Sequence, residues 1–112
     1  MNKLIADSGS TKTDWRIINE NEVIEVKTVG FNPYYQDAES IANELKTSLL
    51  PYFPCKIDEV YYYGTGVTND EKAQVIKDAL LYIFPDLKHG HQLSDEGLNT
   101  FFEFPIVIKN IL

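Results

Sequence analysis

Apolar and polar positions alternate at short range over the first part of the chain and recur at helical intervals after it. Leu4-Ile5-Ala6-Asp7 reads as a short buried strand, Asp14 to Asn19 as a second, and Val23 to Val29, alternating apolar and polar, as a third. Ser8-Gly9-Ser10 and Asn19-Glu20-Asn21 supply turn chemistry between them, short enough for antiparallel hairpins. After Gly30-Phe31-Asn32-Pro33, Asp37 can cap a helix over residues 38–50 whose apolar side is Ile41, Ala42, Leu45 and Leu49, ending before Pro51 and Pro54. Val60-Tyr61-Tyr62-Tyr63 is β-rich and stops at Gly64-Thr65-Gly66. Thr68-Asn69-Asp70-Glu71 then has the spacing of a capping box, and Ala73, Ile76, Leu80, Ile83 and Phe84 recur at helical intervals up to Pro85.

Three hairpin strands followed by helix, strand and helix predict an α/β domain with one mixed sheet, because a strand-helix-strand crossover favours parallel pairing. Beyond Lys88 the pattern weakens: His89-Gly90-His91-Gln92-Leu93 reads as a last strand, Ser94-Asp95-Glu96 as a helix start, and Pro105 to Leu112 as an apolar tail. The final twelve residues concentrate apolar side chains: Phe101, Phe102, Phe104, Ile106, Val107, Ile108, Ile111 and Leu112 are eight of them. The expectation drawn from this density is self-association, a homodimer burying the tail. A final strand within the monomer is the alternative, and the β-branched run Ile106-Val107-Ile108 suits one.

Length and charge narrow the classes. At 112 residues with 44% hydrophobic residues, one domain with a sizeable core is expected and disorder is excluded. The net charge of −7, with no Lys/Arg cluster, excludes a phosphate-backbone partner, so nucleic acid is not expected. Cys55 is the lone cysteine, which points to a reducing compartment. The N-terminal Leu4-Ile5-Ala6 is too short for a signal-peptide core and no run approaches the ~20 apolar residues of a membrane span, so the expected location is cytoplasmic. His89 and His91 alternate on a short segment without a third ligand nearby, the pattern of a solvated strand end rather than a metal site.

The chemistry-bearing stretch is Asp7-Ser8-Gly9-Ser10-Thr11-Lys12-Thr13-Asp14-Trp15. A carboxylate at the end of a buried strand, followed by a small and hydroxyl-rich turn, makes a place for Mg²⁺ beside phosphate oxygens held by backbone N–H groups and hydroxyls. Gly9 permits close backbone approach, and Lys12 adds a point charge. No glycine precedes Gly9 at Walker A spacing, and the three glycines of a dinucleotide fingerprint are missing, so neither motif applies. By composition alone the stretch also fits an ordinary polar hairpin turn.

Asp7-Ser8-Gly9-Ser10-Thr11-Lys12-Thr13 resembles the first phosphate motif of the actin-like ATPase superfamily, which includes hexokinases and sugar kinases. With Asp14-Trp15, Gly30-Phe31-Asn32-Pro33 and Tyr62-Tyr63-Gly64-Thr65-Gly66, residues 1–87 are similar to the N-acetylglucosamine kinase and BadF/BadG/BcrA/BcrD ATPase branch. The resemblance implies a ribonuclease-H-like lobe and ATP with Mg²⁺ as cofactors. Asp7 would hold the metal through water, and Ser8 and Gly9 to Thr13 would form the site for the β/γ phosphates. Asn32, with Gly64 and Gly66 at the cleft edge, would meet an amino sugar. Asn32 is equally explained as an Asn-Pro turn residue.

The family's catalytic base falls nearest Asp70, which is also explained as a charge in the first turn of a helix. Asp95 of Ser94-Asp95 matches a later acidic element. The resemblance leaves residues 88–112 as a divergent segment of the same domain. The family's adenosine-binding and second phosphate motifs belong to a second lobe that is not in this sequence, so the chain is expected to be inactive alone. An ATPase-branch activator, or a noncatalytic assembly module, is the alternative.

Overall fold

The computed structural model describes residues 2–52, 56–87, 92–95, 100–102 and 105–110. Strands β1 (Lys3–Ser8), β2 (Lys12–Ile18) and β3 (Val23–Val29) form two successive antiparallel hairpins. Helix α1 (Ala38–Ser48), a short 3-10 turn at Leu50–Tyr52, β4 (Glu59–Gly64) and α2 (Asp70–Ile83) follow, then β5 (Gln92–Asp95), β6 (Thr100–Phe102) and β7 (Ile106–Asn110). The strands make one mixed sheet in the order β3-β2-β1-β4-β7-β6-β5. β4 lies parallel to β1 and β7 parallel to β4, while β6 and β5 return antiparallel.

Strand alternation decides the layers. Leu4, Ala6, Trp15, Ile17, Val26, Val60, Tyr62, Ile106 and Ile108 project to one face and are buried with Ile41, Ala42 and Leu45 of α1 and Ala73, Ile76 and Leu80 of α2. The Trp15 and Tyr62 rings meet at 6.3 Å between centroids in this core, and Trp15 Nε1 donates to Thr28 Oγ1 at 2.9 Å. Arg16 and Lys27 project to the opposite face, exposed.

Both helices begin on side-chain caps. Asp37 Oδ1 accepts from the Ser40 N–H at 2.8 Å, as the sequence predicts. At α2 the cap is Asn69, whose Oδ1 accepts from the Lys72 N–H at 2.9 Å, rather than Thr68. The Thr68 hydroxyl is instead engaged with the Tyr34 hydroxyl across the connection to α1.

One expectation for the C-terminal part is corrected. Ser94 and Asp95 lie in β5, so no helix starts there. The strand that suits Ile106-Val107-Ile108 is present: Ile106 and Ile108 are fully buried in β7, between β4 and β6 of their own sheet. A β-branched run beside the unpaired edge of β4 gains ladder hydrogen bonds and apolar burial without a partner. Cys55, His89 and His91 lie outside the described residues.

Among the described residues no helix is long and apolar enough to cross a membrane.

Candidate functional site

Because β1 and β4 run parallel, their C-terminal ends finish side by side, with Asp7 beside Tyr63 and Ser8 beside Gly64. The Thr65 N–H donates to the Ser8 carbonyl at 3.0 Å and ties the end of β4 to the start of the β1–β2 turn. That turn is closed by the Gly9 N–H on the Lys12 carbonyl at 2.9 Å. The Ser10 and Thr11 amides, by contrast, make no hydrogen bond among the described residues. A turn that closes on one bond while leaving two adjacent N–H groups uncommitted is a donor surface for an oxygen ligand.

Buried hydroxyls fix the turn from beneath. Thr13 Oγ1 donates to the Val29 carbonyl at 3.0 Å, so the hydrogen between Ser8 Oγ and Thr13 Oγ1, 2.8 Å apart, comes from Ser8. Ser8 Oγ in turn accepts from the Phe31 N–H at 3.3 Å. Both residues are fully buried. The stretch thus divides: Ser8 and Thr13 spend their hydroxyls inside the protein, while Asp7, Ser10, Thr11 and Lys12 are exposed.

Two glycines bring the remaining loops against this turn. A Cβ on Gly30 would lie 2.6 Å from the Ser10 carbonyl carbon and 2.7 Å from the Thr11 nitrogen, so only glycine lets the strand leaving β3 pass so close to backbone. Gly66 has φ +78°, the left-handed region, and a Cβ there would strike the Asn32 side chain. The segments 9–11, 30–33 and 64–66 therefore meet at one corner, at the C-terminal ends of two parallel strands. That is where open α/β sheets bind ligands. Sequence reasoning missed Gly30 as the brace of the turn, although its place directly after β3 was the available signal.

Asn32 is built into its own turn. Its Oδ1 accepts from the Tyr34 N–H at 2.9 Å, and its carbonyl accepts from the Tyr35 and Gln36 amides at 3.0 and 3.1 Å. Its Nδ2 makes no hydrogen bond among the described residues. The Lys72 ammonium sits 4.8 Å from the centroid of the Tyr34 ring and joins this loop to the first turn of α2.

Asp70 occupies that first turn with its Oδ1 buried, the placement that suits a helix N-terminus. Asp95 ends β5, which three strands separate from β1. At about 4.8 Å per strand that is roughly 19 Å, so the fold does not bring Asp95 to the turn.

Charge at the corner is mixed. Asp7 faces Asp14 across the β1–β2 ladder, an arrangement of like charges that is unfavourable unless compensated. Lys27 Nζ, 3.7 Å from Asp14 Oδ1, compensates Asp14, and Asp7 makes no ion pair among the described residues. No group of three or more His, Cys, Asp or Glu residues is gathered for a metal among the described residues. Burial pushes the Tyr62 phenol, under the end of β4, well above its ordinary value, which keeps it neutral.

Two open hollows of about 410 Å³ lie elsewhere. One is bounded by Glu25, Val26, Lys27, Thr47, Ser48 and Tyr52, the other by Asn2, Asn19, Glu22 and Asp58. The chain matches no protein-family model and no curated protein.

Proposed function

We propose that this chain is the phosphate-holding lobe of an ATP-dependent phosphotransferase of the actin-like ATPase kind, similar to N-acetylglucosamine kinases. The observation that carries the reading is the β1–β2 turn. Its Ser10 and Thr11 amides are uncommitted, Lys12 and Asp7 are exposed beside them, and Gly30 and the Ser8–Thr13 pair pin it from behind. The strand order β3-β2-β1-β4-β7, with β2 antiparallel and β4 parallel to β1, supports a ribonuclease-H-like topology.

The residues present fit Mg-ATP: two free amides and a lysine suit phosphate oxygens, and an unpaired carboxylate suits a hard, partly hydrated cation. When bound, Mg-ATP supplies the transferable phosphoryl group and a divalent charge. Ser10 and Thr11 would donate their N–H groups, Lys12 would contribute its charge, and Asp7 would hold the metal through water. The Asn32 Nδ2 would donate to a sugar hydroxyl, and Asp70 is the carboxylate assigned to accept that hydroxyl's proton. Ser8 and Thr13 would act through the shape of the turn, since their hydroxyls are spent.

Calorimetric titration tests this reading. Mg-ATP should bind, ATP with excess chelator should bind more weakly, and Asp7→Asn should remove the difference while leaving the circular dichroism spectrum unchanged. Equal binding of ATP with and without Mg²⁺, or an Asp7→Asn protein indistinguishable from the parent, would move Asp7 out of the site.

A further inference from the structure

Strand β3 forms one edge of the sheet and carries a sequence that is complementary to itself. Val23-Ile24-Glu25-Val26-Lys27-Thr28-Val29 contains neither Pro nor Gly, and its pairing with β2 runs over all seven residues without a register shift. Proline and bulges, two of the devices that ordinarily blunt an exposed edge, are missing from β3; a third, a lysine on the edge, is present as Lys27 and needs an opposite charge across any strand that pairs there. The Asn19 N–H closes the β2–β3 hairpin on the Glu22 carbonyl at 3.1 Å. Counting from that pair, Val23, Glu25 and Lys27 turn their N–H and C=O groups away from β2, toward the free edge; Val29 turns its N–H the same way, while its carbonyl accepts from Thr13 Oγ1 and Thr28 Oγ1. The hollow of about 410 Å³ between Glu25–Lys27 and Thr47, Ser48 and Tyr52 leaves the strand uncovered by α1.

We propose that β3 is a homodimer interface, in which β3 of a second copy adds antiparallel across a twofold axis at Val26 to continue the sheet through both molecules. In that register each residue faces the one equally far on the other side of Val26. Glu25 meets the partner's Lys27, Lys27 meets the partner's Glu25, and Val23 meets the partner's Val29. The register is one that backbone geometry permits: Glu25 and the partner's Lys27 face one another and exchange both hydrogen bonds, while each Val23–Val29 pair keeps the one from the Val29 N–H to the Val23 carbonyl, the Val29 carbonyl being engaged by Thr13 and Thr28.

Side-chain charge favours it too. Arg16 lies 3.0 Å from Glu25, and Lys27 lies 3.7 Å from Asp14. Across the axis the row would read Arg16, Glu25, the partner's Lys27, the partner's Asp14, alternating in sign without a break. The two large hydrophobic residues that β3 leaves most exposed, Val23 at 57% and Val29 at 51%, would cover each other. The net charge of −7 on each copy opposes the approach, so the local complementarity acts against a general repulsion. This proposal is independent of β7, which pairs with β4 and β6 of its own sheet, and of the nucleotide reading.

Sedimentation velocity of the parent and of the charge-reversed variants E25K and K27E, from roughly 1 μM to 1 mM, tests it. The parent should dimerise, and each variant alone should associate at least about tenfold more weakly, because like charges then face each other at two symmetric places. Mixing the two variants should restore association, since the introduced lysine of one chain then faces the introduced glutamate of the other, and the unaltered Lys27 faces the unaltered Glu25. A parent that stays monomeric, variants that associate as the parent does, or a mixture no better than its components would overturn the proposal. If either variant fails to fold, amide exchange on the parent decides. The Val23, Glu25, Lys27 and Val29 amides should slow as concentration rises, and exchange independent of concentration would overturn the interface.

Discussion

The Ser8–Thr13 pair shows how much of the turn's geometry rests on single atoms. A hydroxyl that donates to the Val29 carbonyl and accepts from Ser8, with both side chains fully buried, cannot be removed without stranding a neighbour. Thr13→Val is therefore expected to lower stability by about 1–3 kcal/mol in urea denaturation, and Ser8→Ala combined with Thr13→Val to cost less than the two single changes together. Gly30→Ala places a methyl group against turn backbone that cannot give way, and should cost about 1–3 kcal/mol and weaken nucleotide binding with it. Asn32→Ala should leave ATP affinity nearly unchanged; in an assembled phosphotransferase it should raise the KM for the sugar more than that for ATP. Equal effects on both substrates would confine Asn32 to its turn.

At the level of elements, local signals are read well where side chain and backbone cooperate within a few residues. Val23–Val29 occupies the bounds its alternation predicts, and Asp37 caps α1 as its position before the apolar periodicity requires. Thr68 and Asn69 are both good caps, and local sequence does not separate them; the long-range contact of Thr68 with Tyr34 decides for Asn69. Asn69→Ala should accordingly cost about 1 kcal/mol and Thr68→Ala much less at α2.

The cap of α1 carries a pH signature. The Ser40 backbone N–H, and then its side chain, hold the Asp37 carboxyl below its ordinary value of 3.8. A group whose folded value is depressed contributes stability at higher pH, and that contribution is lost as pH falls through the folded value. The parent should therefore lose the increment below about pH 3.8, while Asp37→Asn, which caps without titrating, should lack that component in thermal melts followed across the same range.

For the whole molecule, the part least legible in the sequence is the end of the chain. Residues 94–95 have the composition of a helix start yet form a strand, and Ile106–Ile108, whose β-branching suits a strand, takes its place in the sheet far from its neighbours in sequence. The edge of β4 that recruits β7 lies more than forty residues earlier, so the pairing is a long-range choice that no local window contains. The candidate site divides in the same way. The turn between β1 and β2 is legible from its small and hydroxyl residues, whereas its bracing by Gly30 and the division between buried and exposed hydroxyls emerge only when β3 and β4 close around it.

The corner so formed is one-sided, with Asp7 and Lys12 exposed. A site that does not exclude water or surround the transferred group should give no sugar phosphorylation at the roughly 1 to 100 s⁻¹ of working kinases, and a coupled assay with N-acetylglucosamine and Mg-ATP checks this. Binding should nevertheless survive in the isolated chain, at about millimolar affinity. Titration of the isotope-labelled chain with Mg-ATP, followed amide by amide in solution, measures it directly. Saturable, Mg²⁺-dependent shifts led by the Ser10, Thr11 and Lys12 amides and extending to Thr65 and Gly66 are expected; unchanged amides at that turn, or shifts confined to the opposite end of the sheet around Asn19–Glu22, would contradict a phosphate site at the β1–β2 turn.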